Sequence, residues 1–447
     1  MTPPSHQPNV PGLGIVAAYG VRFWALVVAV GVGAGLGGAA LMELLRVVQH
    51  LAWSYHSGSF LDAVDHVSPA RRVLVLLGGG LVAGLGGLGL TRRPGGEVTE
   101  AIWLRAARLP FWASIQRAVL SIVTVGLGSS LGREAAPQQT GAAVASALSG
   151  WARLPESERR LLVACGAGAG MAAVYNVPLG GALFALEVLL GTLSLPLVLP
   201  ALVTTLTATA VAWIALPAHA TYSIPSYGIS GSQVVWALVI GPIAGLAAIA
   251  YVRLIVRAHA MRPPKGWPRV AVPVIVFSAL GAVAIAYPQL LGNGKPMVQL
   301  AVIGRLSVVL LAVLLVLKPL ATAACLGSGA PGGLFTPTLA YGVLLGGLLG
   351  EGWSQLWPGA PLGSYAIIGG AAVLGASMQG PLAAIVLILE LTHHADGLMV
   401  PMLLAVAEAT ILTRLLGAPS IYAARLPASP SGGGQAVARE VAAPLAS

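Results

Sequence analysis

The sequence predicts an all-α polytopic membrane protein made of two related halves, with many tilted and broken helices. Three observations carry this. Of 447 residues, 57% are hydrophobic and only 9% charged, where a soluble domain carries about a quarter charged residues. Residues 188–252 contain no Asp, Glu, Lys or Arg, and 23–42, 319–350 and 352–389 are also charge-free. A span takes about 20 apolar residues, so the first run must fold back and the chain enters the membrane many times. Finally, 58 glycines and 32 prolines punctuate the chain, many inside these runs. There they allow close helix packing or break a helix at membrane depth.

The halves are visible by comparing GAGAGMAAVYNVPLGGALFALEVLLGT (166–192) with GGAAVLGASMQGPLAAIVLILELT (369–392). Each reads small-residue helix, Pro-Leu, apolar helix, Glu. Pro178 to Glu187 and Pro381 to Glu390 are both nine residues (187 − 178 and 390 − 381). Upstream of each lies a Gly-rich loop, GLGSSLGREAAP from Gly126 and GSGAPGGLFTP from Gly327. Repeats with interrupted helices point to a transporter whose site lies between the repeats. The first membrane repeat is expected over 13–217 and the second over 218–425, with a basic, cytoplasmic linker at about 253–269 that carries Arg253, Arg257, Arg262, Lys265 and Arg269. Residues 1–12 and 426–447, rich in Pro, Gly, Ser and Ala, read as disordered tails. The start lacks a basic region and cleavage site of the secretory type, so the first apolar stretch reads as a retained helix.

The net charge of +10 fits cytoplasmic loops better than nucleic-acid binding. Cys165 and Cys325 sit far apart in apolar context, forming neither metal site nor disulfide framework. Nothing calls for a cofactor or metal.

An anion crossing hydrocarbon needs donors to replace its hydration shell, without a row of full charges that would trap it. Helix N-termini meet this need with free N–H groups and a partial charge of roughly +0.5. The LGREAAP and GGLFTP segments are helix starts of this kind. Glu134 lies in the first. A carboxylate in such a segment costs about 2.5–3.5 kcal/mol on insertion scales and therefore usually has a job. It reads either as a gate or as an ion pair with Arg133 that fixes a helix end.

LGREAAP (131–137), GSGAPGGLFTP (327–337), YNVPLGGALFALE (175–187) and GAPSIY (417–422) occur in the order of the CLC chloride channel and transporter family, which the chain resembles from about 13 to 425. ACGAGAGMAA, GNGKPMVQ and GSGAPGGLFTPTL are most similar to its bacterial ClcB-like branch. The resemblance implies a CLC fold of two inverted-topology repeats, conduction of chloride or another small anion, and a homodimer with one pore per subunit in a bacterial inner membrane. It makes Glu134 the gating glutamate, whose carboxylate competes with the anion for the same donors. It places Leu334 and Phe335 with their N–H groups toward the anion, Gly333 at the turn before them, Ala135 at the opposing helix start and Tyr422 at the inner side. It pairs Arg133 with Glu100 as a buried structural ion pair, and puts Arg117 on a basic position.

The chain departs from the family twice. Where a GSGIP loop supplies a serine, this chain reads RRPGGEVTEAIW from Arg92, which sets Pro94 in the serine's place as in nitrate-preferring plant members. Where proton-coupled members carry a second glutamate, Ala185-Leu186-Glu187-Val188 leaves Val188, which carries no proton. The expectation is channel-like conduction, uncoupled or weakly coupled to protons. A one-residue slip would make Glu187 the relay and restore chloride/proton antiport. Gly128-Ser129-Ser130-Leu131-Gly132 formally matches GxSxG, so a membrane-embedded hydrolase is the alternative from another class. That motif needs a strand-to-helix elbow and a His partner.

Overall fold

In the computed structural model residues 19–54, 58–91 and 96–426 are described; Pro94, residues 13–18 and nearly all of the two tails lie outside them. Among the described residues the regular structure is helical apart from one isolated bridge. Nine helices come first: α1 (Val21–Trp53), α2 (Phe60–His66), α3 (Pro69–Thr91), α4 (Val98–Leu104), α5 (Phe111–Gly126), α6 (Ala135–Trp151), α7 (Glu156–Tyr175), α8 (Pro178–Leu183) and α9 (Leu195–Ala212). Eight follow: α10 (Gly231–Ala260), α11 (Pro268–Val283), α12 (Lys295–Val302), α13 (Val308–Gly327), α14 (Phe335–Leu356), α15 (Leu362–Met378), α16 (Pro381–Thr392) and α17 (Met399–Leu415). Six helices among the described residues are long and apolar enough to cross a membrane. Shorter apolar ones, such as α5, α15 and α16, fit the broken helices that the glycines and prolines call for.

Leaving aside α2, the second set repeats the first. Packing repeats too: α1 on α9 matches α10 on α17, α6 on α7 matches α14 on α15, and α3 meets α11 across the halves. Each half leaves its small-residue helix through a left-handed residue, Asn176 (φ 57°) or Gln379 (φ 58°), and restarts at a proline, Pro178 or Pro381. That φ ends a helix, and Pro at the first helical position needs no N–H partner.

The repeat is also chemical. Glu187 accepts hydrogen bonds from the Ala383 and Leu382 amides (2.6 and 3.3 Å) at the start of α16. Glu390 accepts from the Gly180 and Leu179 amides (2.6 and 3.0 Å) at the start of α8. Each half thus lends a carboxylate to the positive end of the other's helix. Between α6 and α7 the backbones touch: a Cβ on Gly141 would run into the Gly166 carbonyl, and one on Gly166 into that of Gly141. Such approach substitutes for a hydrophobic drive, which lipid does not supply.

The basic stretch 253–269 does not join the halves. Arg253 and Arg257 lie on the last turns of α10, and the chain leaves helix only before α11.

Candidate functional site: a carboxylate seated between two helix starts

The Gly-rich loops before α6 and α14 meet at the interface of the halves. Gly132 N–H donates to the Gly333 carbonyl (2.8 Å) and Gly333 N–H to that of Gly132 (2.7 Å), forming the lone antiparallel bridge. Glu134 follows as the residue that caps α6. Its side chain is buried, 1% exposed, and lies over this bridge. A Cβ on either Gly132 or Gly333 would overlap the Glu134 carboxylate, so the seat exists because both positions are glycine.

The carboxylate is held by donors from both halves. Phe335 N–H, at the first turn of α14, donates to Oε1 (2.7 Å), and the Thr336 hydroxyl donates to Oε2 (3.2 Å). The Tyr175 hydroxyl also donates to Oε2 (3.2 Å) and lies 2.8 Å from Thr336 Oγ1. An acid in hydrocarbon is tolerated when donors of this kind surround it.

The seat stands between two cavities. On one side a cavity of about 70 Å³ is lined by Glu134, Ala135, Gly333, Leu334 and Tyr422. A water-sized guest needs about 10–15 Å³ of such space, so the cavity has room for a few small guests. The Tyr422 ring packs edge-on against Phe184 (5.7 Å), which opens the π-helical stretch Phe184–Leu190 continuing α8. On the other side a cavity of about 530 Å³ is lined by Arg46, His50, Arg133, Tyr175, His219 and Lys295, and no acid lines it among the described residues.

At the mouth beyond Tyr422, Glu97 pairs with Arg425 (3.0 Å) and Arg262 (3.7 Å). Burial pushes the Glu97 carboxyl up, but Arg425, Arg262 and Arg117 outweigh it and bring it down to about 2. Sequence reasoning passed over Glu97 for Glu100, and the expected Glu100–Arg133 pair does not form. Glu100 Oε1 instead accepts from Arg105 (2.6 Å), the residue that follows α4, and its carboxylate lies beside Gly96 ahead of the helix. Arg133 instead sits over the Tyr175 ring, 4.9 Å from its centroid. Val188 is buried in the π-helical stretch, and Glu187 beside it is engaged at α16.

Three participants were missed. Thr336 lies inside the quoted motif, but only its neighbour's backbone was considered. Tyr175 reads as core in a small-residue helix. Lys318 is fully buried in α13 and donates to Ser130 Oγ (2.7 Å) and the Gly292 carbonyl (3.1 Å), tying down the loop that leads to Glu134. A lysine within an apolar run was the available signal. Ser130, the serine of the GxSxG string, is thereby committed to Lys318.

A family profile described as voltage gated chloride channel matches residues 80–414. The chain belongs to this chloride channel family. A ClcB-like protein of Ralstonia nicotianae is 35% identical over 410 residues, covering 89% of this chain and 95% of its own length. The voltage-gated ClC-type chloride channel ClcB of Salmonella typhimurium is 32% identical over 417 residues, covering 88% and 96%. Among solved structures, a slow cyanobacterial Cl⁻/H⁺ antiporter aligns with TM-score 0.79 and 21% identity, over 95% of this chain and 99% of its own. A CLC-type fluoride/proton antiporter aligns with TM-score 0.68 and 23% identity, over 90% and 97%. These likenesses establish the CLC fold, and the repeats described above are its two inverted-topology halves.

Proposed function

We propose that the protein conducts small anions, chloride first and nitrate as the competitor of interest, through the two cavities on either side of Glu134. The observation that carries this reading is the Glu134 carboxylate bonded at 2.7 Å to the Phe335 N–H at a helix start. A donor that holds a carboxylate oxygen can hold a halide, so the two exclude each other and Glu134 acts as the gate. The basic cavity beyond Tyr175 gathers anions, and the cavity at Tyr422 receives them once the carboxylate swings away. Basic residues around Arg262 face the cytoplasm of a bacterial inner membrane under the positive-inside rule. The active form is a homodimer with one pore per subunit.

Coupling to protons is weak or absent in this reading. Val188 offers no titratable group, and the engagement of Glu187 with α16 withholds it from proton traffic. Antiport is the second reading, favoured by the names of the two solved neighbours. The experiment is flux from reconstituted vesicles with chloride, nitrate and fluoride compared and proton movement recorded. Anion flux without uphill proton transport is expected. Proton pumping driven by a chloride gradient would replace this reading with antiport, and absence of any anion flux would end both.

A further inference from the structure

Beside the path through Glu134 lies a side chamber of about 310 Å³. It opens between α3, α5, the loop after α10 and the turn at Ser328 and Gly329. Arg117, Arg262, Lys265 and Arg269 line it, and among the described residues no acid does. Neither Glu134 nor Tyr422 borders it, so the conducted ion need not pass through.

The cations here are underused. Arg269 donates from Nε to the Pro263 carbonyl (3.2 Å), which leaves its fork free for an oxyanion. Arg262 Nε is buried without an acceptor, and its Nη2 is 3.7 Å from Glu97, outside the chamber. Arg117 acts on Glu97 through its field, and Lys265 is exposed to the chamber. A monovalent halide answers one such group. Glu97, outside the chamber, compensates part of the charge of Arg262 and Arg117, and a multivalent anion seated among the four relieves the repulsion that remains. Guanidinium forks match phosphate oxygens two at a time.

We propose that this chamber binds a phosphate-bearing anion carrying two or more negative charges, and that its occupancy damps anion flux. Exposed Trp267 and Met261, 78% and 77% accessible, flank Lys265 and suit the headgroup level of a membrane. The phosphate can therefore come from an anionic lipid or from a soluble polyphosphate. The damping rests on the conduction reading above, since Arg117 and Arg262 also line the cavity beneath Glu134. A bound phosphate draws their field away from the conducted ion. Binding itself does not depend on that reading.

The test is calorimetric titration of purified protein with inorganic pyrophosphate, and of protein in nanodiscs with or without cardiolipin, followed by chloride flux from vesicles. Lys265→Gln/Arg269→Gln should weaken binding at least tenfold, while Lys265→Arg, which keeps the charge and leaves the Arg269 fork in place, should keep it within about threefold. Binding of pyrophosphate alone assigns a soluble ligand, and a response to cardiolipin alone assigns a lipid; either supports the site. Saturating pyrophosphate or cardiolipin should lower chloride flux at least twofold. No binding of either probe, or equal binding by the neutralised variant, overturns the site. Binding with unchanged flux overturns the damping. Absence of chloride flux even without these probes would overturn conduction while leaving the binding result standing.

Discussion

Gly333→Ala removes the seat while leaving the acid and every donor in place. The added methyl would occupy the position of the Glu134 carboxylate, and Gly333 is not among the positive-φ glycines, so the backbone accepts alanine. The carboxylate is the free end of a side chain, and its departure is the cheapest relief. Leaving forfeits the 2.7 Å bond from Phe335 N–H, worth about 2 kcal/mol as a charge-assisted bond. It also forfeits two 3.2 Å hydroxyl bonds, worth about 1 kcal/mol each. Against about 1.4 kcal/mol per decade, the wild-type seat is preferred by roughly two to three decades, and the methyl clash must exceed that preference to empty it. Water and anions that take over the donors favour the lower figure. In vesicles, chloride flux compared at an acidic and a neutral pH should lose its pH dependence and resemble that of Glu134→Ala. The ratio of fluxes at the two pH values is the quantity to read, since it is insensitive to any change the methyl makes in conductance. A folded Gly333→Ala protein with the wild-type ratio would refute the argument.

Glu97→Gln should lower the thermal midpoint in detergent, because Arg262 and Arg425 lose their shared anion. With its carboxyl held near 2, the stabilisation by Glu97 is present above its ordinary value and disappears as pH falls through about 2. The variant and wild type should therefore converge in acid, and a gap that persists there would contradict the assignment. Glu187→Gln and Glu390→Gln should each cost about 1–2 kcal/mol and agree with one another, because they cap equivalent helices. A denaturation series showing one effect and not the other would count against the exchange. Lys318→Met should destabilise more than Ser130→Ala, since it leaves both Ser130 and the Gly292 carbonyl without a donor. Equal midpoints for the two variants would show that the lysine does not hold the loop.

What the sequence made legible follows from how local the signal is. The helix starts at 135 and 335 were readable because Gly-rich loops ending near proline dictate them within a few residues. The match of Glu187 with Glu390 came from spacing alone, and the structure adds that each carboxylate serves the opposite half. Tyr175 and Thr336 escaped because their bonds to Glu134 span 41 and 202 residues, a separation that no local pattern encodes. Glu100 was chosen over Glu97 because the choice depends on where α4 begins, and a shift of one or two residues at a helix start moves a side chain to another face. The basic run at 253–269 looked like a linker by charge, although its first half continues α10. A helix end near a membrane surface and a loop carry the same residues.

The central claim is that a halide and the Glu134 carboxylate claim one seat. Anomalous diffraction from crystals of wild type and Glu134→Gln grown in bromide tests it most directly. The account predicts a bromide peak within hydrogen-bonding distance of Phe335 N in the variant, with the same position taken by the carboxylate in wild type. Bromide in both proteins at other positions, with Phe335 N unoccupied in the variant, would contradict it.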